Sequence, residues 1–389
     1  MRIVSLLFCA GLAIAQTASV DSARKLIAGG SFDRAIDMLK SIVKTTPDNA
    51  DAHLLLGNTL ALEGHRNESI EQLLEVVRLR PDSAAAYNAL GTALSRFAEM
   101  NAAREALENA VRLDPQLAEA RVSLALVLAQ GDDLPAALEQ LDRAVAIQGG
   151  TPQAAYPHYL RAKIYSQRNE YEQAAGELGK ATALRPDFAE AWLALGIARR
   201  ASFDQAGALE AFKRSVALQP KNAECQRQLG MQYLGQGKPR EALQHLKEAV
   251  RLNPENQSAV YNLQRALRQD GQVEQAKLVE MQLREWQSKR SRAGEKAFEA
   301  TRLDNEGVSL EKSGDVRSAI EKYRQALELD PDHEGFRLNY GLALCRVGAW
   351  DQGIAEFREI IRRNPDNAEA TRALYIALDR GKNASANSK

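Results

Sequence analysis

The sequence predicts an all-α fold, a solenoid of stacked helical hairpins, and three observations predict it. Prolines recur in three groups, Pro47, Pro81 and Pro115, then Pro152, Pro186, Pro220 and Pro254, then Pro331 and Pro365, with a step of 34 residues inside each group. A glycine column (Gly91, Gly196, Gly230) and an alanine column (Ala103, Ala208, Ala242) keep the same register. Between prolines, apolar residues stand three and four apart in two runs, as two amphipathic helices require. Self-similarity at one period marks an array of a small unit that cannot bury its apolar face alone, so neighbours share a continuous core.

The clearest copy shows what each residue does. Its first helix carries Trp192, Leu195, Ile197 and Ala198 and ends near 201–203. Its second carries Ala208, Leu209, Phe212, Val216 and Leu218, and Pro220 stops it because proline cannot continue a helix. Gly196 lacks a β-carbon, so the facing helix can approach closely, and Ala208 serves the same end from the other side. Aspartates follow several prolines (Asp48, Asp82, Asp187, Asp332, Asp366) and are expected as N-caps of the next helix or as favourable charges near its positive end.

Trp192-x2-Leu195-Gly196, then Ala208-x3-Phe212, then Pro220, with Leu229-Gly230-x2-Tyr233 in the next copy, resemble the tetratricopeptide repeat family. The resemblance covers nearly all of the chain beyond the first fifteen residues. It implies an α-solenoid coiled as a right-handed superhelix. It also implies that the first helix of each pair lines a concave groove that takes a peptide or a partner protein.

On this register residues 16–288 hold repeats one to eight, the eighth degenerate, with Gln264 where glycine usually sits and no terminal proline. Residues 289–297 are expected as a basic linker, the hinge or joint of the array, and 298–365 as repeats nine and ten. Residues 366–380 are expected as a capping helix and 381–389 as a disordered tail. The fourth repeat is longer by three residues, within Gly149-Gly150-Thr151-Pro152-Gln153, which should bulge from one face.

Residues 1–15 read as a secretory signal peptide: Arg2, an apolar run over 3–13, and a small-x-small site at Ala13-Ile14-Ala15 before Gln16. The run is too short for a permanent membrane span. The expected location is therefore periplasmic or secreted, with no integral membrane span.

Composition narrows the function further. Lys+Arg and Asp+Glu are both 51, so the chain lacks the basic excess of a nucleic-acid protein. Aromatics are 6% against 45% hydrophobic residues, so alanine and leucine must do most of the packing. Cys225 and Cys345 lie more than three repeats apart and read as small core residues rather than a disulfide.

The five histidines fall in different repeats with no i,i+4 metal pair, and no Walker loop, dinucleotide fingerprint or nucleophile elbow appears. Neither catalytic residues, a metal nor a cofactor is expected.

The candidate binding residues lie in the expected groove. Two residues before the repeat glycine stand Gln228, Asn262, Asn305 and Asn339. A carboxamide both donates and accepts, so such a ladder can pair with an extended peptide backbone. Some tetratricopeptide arrays, such as that of O-GlcNAc transferase, are similar in holding peptides with an asparagine ladder. The same column in the N-terminal half reads Leu55, Ala89, Ser123, Leu160 and Ala194.

Arg227, Arg265, Arg268 and Arg346 lie near the ladder and could pair with acidic groups. Leu54, Leu55, Val122, Leu126, Tyr156, Tyr159, Leu160, Leu193 and Ile197 are apolar at groove positions: either a binding surface or packing between repeats. The family's chaperone-tail clamp is not matched: Asn58 fits one place, but Leu54, Ala89, Glu119 and Ser123 stand where its partners belong. The expected function is a non-catalytic scaffold for an extended peptide or partner protein. The alternative is an accessory subunit of a cell-envelope enzyme or an export or assembly machine.

Overall fold

A computed structural model describes residues 20–386. Every regular element in that range is helical. The helices run α1 (20–28), α2 (Phe32–Thr45), α3 (Ala50–Glu63), α4 (Arg66–Leu79), α5 (Ala84–Arg96), α6 (Met100–Leu113), α7 (Ala118–Gln130) and α8 (Leu134–Gln148). After a 3-10 turn at Pro152–Ala154 come α9 (Ala155–Gln167), α10 (Tyr171–Leu184), α11 (Ala189–Ala201), α12 (Gln205–Leu218), α13 (Ala223–Gly235), α14 (Pro239–Leu252) and α15 (Gln257–Gln269). The rest are α16 (Val273–Lys312), α17 (Val316–Leu329), α18 (Glu334–Arg346), α19 (Trp350–Arg363) and α20 (Ala368–Ala386). They form two compact units, one through Ala266 and one from Leu267, each with its own core.

In both units the repeat glycine sets how closely a hairpin closes. A β-carbon on Gly91 would stand 2.6 Å from Leu107 Cγ and 3.0 Å from the Ala103 carbonyl. One on Gly341 would stand 2.6 Å from the Phe357 ring. The residue sixteen positions after each glycine therefore packs flat on bare backbone, and Leu107, Phe212, Leu246, Tyr323 and Phe357 are all fully buried.

The turn within each hairpin needs one left-handed residue seven positions after the glycine column. Glycine takes it at Gly64, Gly237, Gly314 and Gly348, whereas Ala98, Asp132, Asn169 and Phe203 adopt it against their β-carbon.

The turn between hairpins is closed by a polar column that hydrophobic periodicity does not reveal. Proline ends the repeat with a carbonyl that needs a donor. Six residues on, a side-chain N–H supplies it. Trp192 Nε1 donates to the Pro186 carbonyl at 2.9 Å, His53 Nε2 to Pro47 at 2.9 Å and Gln226 Nε2 to Pro220 at 2.8 Å. Arg121 donates twice to Pro115, at 2.9 and 2.8 Å, and Arg337 donates to Pro331 at 2.6 Å.

Several of these side chains also reach the second helix nineteen residues on. His53 meets Gln72 at 2.7 Å, Arg121 meets Gln140 at 2.9 Å and Gln226 meets His245 at 2.8 Å. In the fifth repeat His158 meets buried Glu177 at 2.6 Å, with Arg161 at 2.9 Å and Lys180 at 2.8 Å. Burial pushes the Glu177 carboxyl up, but hydrogen bonds from His158 and Lys180 and the Arg161 charge outweigh it and hold the pKa down to about 2.

Three expectations need correction. The segment 289–297, expected as a linker and hinge, lies inside α16, one helix of 40 residues. It holds no proline, and Gly294 alone costs only about 1 kcal/mol in a helix. Lys289–Glu285 at 2.8 Å and Ser291–Glu295 at 3.1 Å add same-face partners four residues apart. The second helix of the eighth repeat and the first of the ninth are thus one element, which is why the register resumes late.

The capping helix does not end at 380 but runs on to Ala386, so part of the expected tail is helical. The N-caps of the first helices fall one residue after the aspartates: Asn49 accepts from Ala52 N at 3.0 Å, and Asn367 from Ala370 N at 2.9 Å. Proline and aspartate together make the turn, leaving the aspartate just outside the cap. Leu160, at a groove position, is buried at 5% exposure in the first unit's core, where it serves packing between repeats. The expected signal peptide, 1–15, lies outside the described residues.

Candidate functional site

The open face of each unit is built by the first helices of its hairpins. Helical spacing turns four columns to that side: six and three residues before the glycine position, one after it and five after it. The column one residue after the glycine is exposed at Asn58, Thr92, Lys163, Ile197 and Arg265 in the first unit and at Leu342 and Ile376 in the second. Between α3 and α5 the face opens into a pocket of about 440 Å³, and between α7 and α9 into one of about 230 Å³. Leu62 (49% exposed), Tyr156 (40%) and Ile197 (38%) leave apolar area on it. By contrast Leu54, Val122, Leu126 and Tyr159 are half-buried and packed on the core, so most of the apolar groove letters serve packing between repeats.

The expected amide column divides between the two units. In the first, Gln228 is buried. Its oxygen accepts from Arg200 Nη2 at 2.7 Å, and its NH2 donates to Glu224 at 2.7 Å. Arg227 grips the same Glu224, with Nε at 2.8 Å, and reaches Ser258 Oγ at 3.3 Å. Burial raises the Glu224 pKa, but the bonds from Arg227 and Gln228 prevail and leave it lowered. Asn262 is buried and donates to the Ser258 carbonyl at 2.7 Å, one turn back on its own helix. Arg265 is exposed.

In the second unit Arg268 pairs with Glu280 at 2.7 Å and Arg346 with Glu311 at 2.8 Å. Asn339 donates to the Asp304 carboxylate at 3.0 Å, and Asn305 faces solvent. The ladder therefore joins helices to one another at Gln228 and Asn339, Asn262 is spent on its own helix, and Asn305 alone of the four stands open. The residues better placed to meet a ligand stand three positions further on. The glycine register carries that signal, because adding three to the amide column stays on the same helix face.

Among the described residues no cluster of three or more His, Cys, Asp and Glu side chains is arranged to hold a metal ion, and no described helix is long and apolar enough to cross a membrane. Cys225 and Cys345 are buried free thiols, and burial pushes both pKa values up.

Sequence models of the tetratricopeptide repeat match residues 26–94, 233–294 and 310–375, and further repeat models match 98–155 and 162–199. The chain belongs to the tetratricopeptide repeat family. It is thus a protein-interaction module of a kind that is generally non-catalytic. No curated protein matches the sequence at a significant level.

Solved tetratricopeptide structures resemble it over about half its length. YrrB, described as having an unusual peptide-binding site, is 19% identical, with 49% of this chain and 97% of that chain covered and a TM-score of 0.42. PilW, a type IV pilus biogenesis factor, is 19% identical, with 55% and 97% covered and a TM-score of 0.49. PilF of Pseudomonas aeruginosa is 20% identical, with 56% and 97% covered and a TM-score of 0.47. Likeness at this level says nothing of what this tetratricopeptide protein binds.

Proposed function

We propose that this protein is a non-catalytic scaffold that holds an extended peptide, or an extended segment of a partner protein, along the face made by its first helices. One observation carries the reading. The first helices leave open pockets between them, while apolar side chains such as Leu62, Tyr156 and Ile197 stay exposed on that same face. Helices already fixed by packing lose little freedom on binding, so many weak contacts in a fixed row can add up. Arg265 can join that row without giving up a partner on the chain.

We place the scaffold outside the cytoplasm, periplasmic or secreted, with a signal peptide cleaved before Gln16, on the strength of the charged, apolar and small-residue pattern of 1–15.

Tyr156→Ala combined with Ile197→Asp should weaken partner binding about ten-fold, measured by fluorescence anisotropy, with helical content unchanged. Leu74→Asp, on the exposed side of a second helix, should leave binding as it was. Equal binding by the folded double variant and the parent would refute the assignment. For the location, the N-terminal residue of the protein recovered from cells should be Gln16.

A further inference from the structure

Resting on that reading, we propose that the face is selective for acidic segments, and that each unit holds one pocket for an apolar side chain followed by an aspartate or glutamate of an extended peptide. In the first unit the pocket between α3 and α5 has Leu54, Leu62 and alanines as its apolar wall, with Asn58, Asn88 and Thr92 around it. Arg96 is the one charged residue that lines it, and it is exposed, with no carboxylate paired to it among the described residues. Asn88 adds a second sign of a missing ligand. Its amide oxygen is shielded from water and accepts no hydrogen bond, an arrangement that costs about 1–3 kcal/mol. A peptide N–H entering beside it would supply the donor.

The second unit repeats the apolar wall and the arginine in the same register, without the amides. Its pocket, about 180 Å³, lies between α18 and α20 over Trp350 and Phe357. Leu342 stands in the column of Asn58, Ile376 in that of Thr92, and Arg380 in that of Arg96. Arg380 is likewise exposed and without an ion pair among the described residues. Two other arginines on this face do have one, Arg227 with Glu224 and Arg346 with Glu311. An unopposed guanidinium beside an apolar wall, found in the same column of both units, matches a carboxylate next to an apolar side chain. The occupant is an internal segment rather than a chain terminus, because the Asn58 and Asn88 amides beside the first pocket suit a main chain that passes through.

The test uses the full chain and fluorescent decapeptides blocked at both ends. One carries Leu-Asp and Leu-Glu pairs. In its analogues the acids become Asn and Gln, or Lys. The acidic peptide should bind at least ten-fold more tightly than either analogue, and its affinity should fall with added salt. Arg96→Ala and Arg380→Ala should each weaken it, and the double variant should lose the preference for acid while keeping weak binding of the neutral peptide. Arg112→Ala, on a second helix, should change nothing. Equal binding of acidic and neutral peptides would overturn the selectivity and leave the scaffold reading intact. Binding that requires an unblocked C-terminus would overturn the internal-segment assignment. No binding by any peptide would overturn both.

Discussion

Substituting alanine for glycine should have opposite signs at two sites of the first unit. Gly91 and Gly176 both lie inside helices, α5 and α10, so each change gains roughly 1 kcal/mol of helix propensity. At Gly176 nothing stands within 4 Å of the new β-carbon, so the gain survives and the variant should be stabilised by about 1 kcal/mol. At Gly91 the new carbon would meet Leu107 Cγ at 2.6 Å and the Ala103 carbonyl at 3.0 Å.

Leu107 is fully buried and the carbonyl is backbone, so neither can swing away. Overpacking of this kind costs about 1–3 kcal/mol. With the propensity gain subtracted, Gly91→Ala should lose up to about 2 kcal/mol. The melting midpoint should fall by a few degrees, about 2–4 °C per kcal/mol at this size, while that of Gly176→Ala rises. Circular dichroism melts of the two variants beside the parent decide it. If Gly91→Ala melted above the parent, as Gly176→Ala should, close helix approach would not be what the glycine column provides.

Other outcomes follow from the same structure. Arg121→Met removes both donors from the Pro115 carbonyl, so urea unfolding should show a loss of about 1–3 kcal/mol, whereas exposed Arg112→Met should lose almost nothing. Phe203 holds φ at +67° while 87% exposed, so Phe203→Gly should raise stability by about 0.5–1 kcal/mol in the same assay.

Glu177, lowered from 4.5 to about 2, binds protons more readily when unfolded. Its contribution is full above about pH 4.5 and lost as pH falls toward 2. Glu177→Gln should therefore cost up to about 3 kcal/mol at neutral pH and flatten the loss of stability across that acid range. Gln228→Ala should lower the melting midpoint because Arg200 and Glu224 lose a shared partner, while Asn305→Ala, at an exposed position, should leave it unchanged.

What the sequence shows of this fold is what steric fit dictates. Glycine, alanine and proline are chosen for shape, so their columns can be read directly, and the helices that they bound appear in the structure. The donor column was hidden because its common property is an N–H, not a shape. His53, Arg121, Trp192, Gln226 and Arg337 share no hydrophobicity and little size, yet each reaches the proline carbonyl six residues back.

The basic segment misled for a related reason. Charge there suggested a solvated joint, but a helix continues wherever no residue stops it, and charged side chains four apart can pair along its surface. On the open face, the residue types of the amide column were legible and their surroundings were not. Whether Gln228 meets a ligand or Arg200 depends on how far the neighbouring helix leans in, which the column itself does not encode.

The most direct test of the scaffold account is photo-crosslinking with the blocked Leu-Asp and Leu-Glu decapeptide. A photoreactive side chain replaces Tyr156 or Ile197 on the first helices, and Leu74 on a second helix serves as the comparison. All three positions are exposed, at 40%, 38% and 52%. Peptide adducts from Tyr156 and Ile197 with none from Leu74 are the predicted result. Adducts from Leu74 at equal or greater yield would place the ligand on the opposite face and contradict the account.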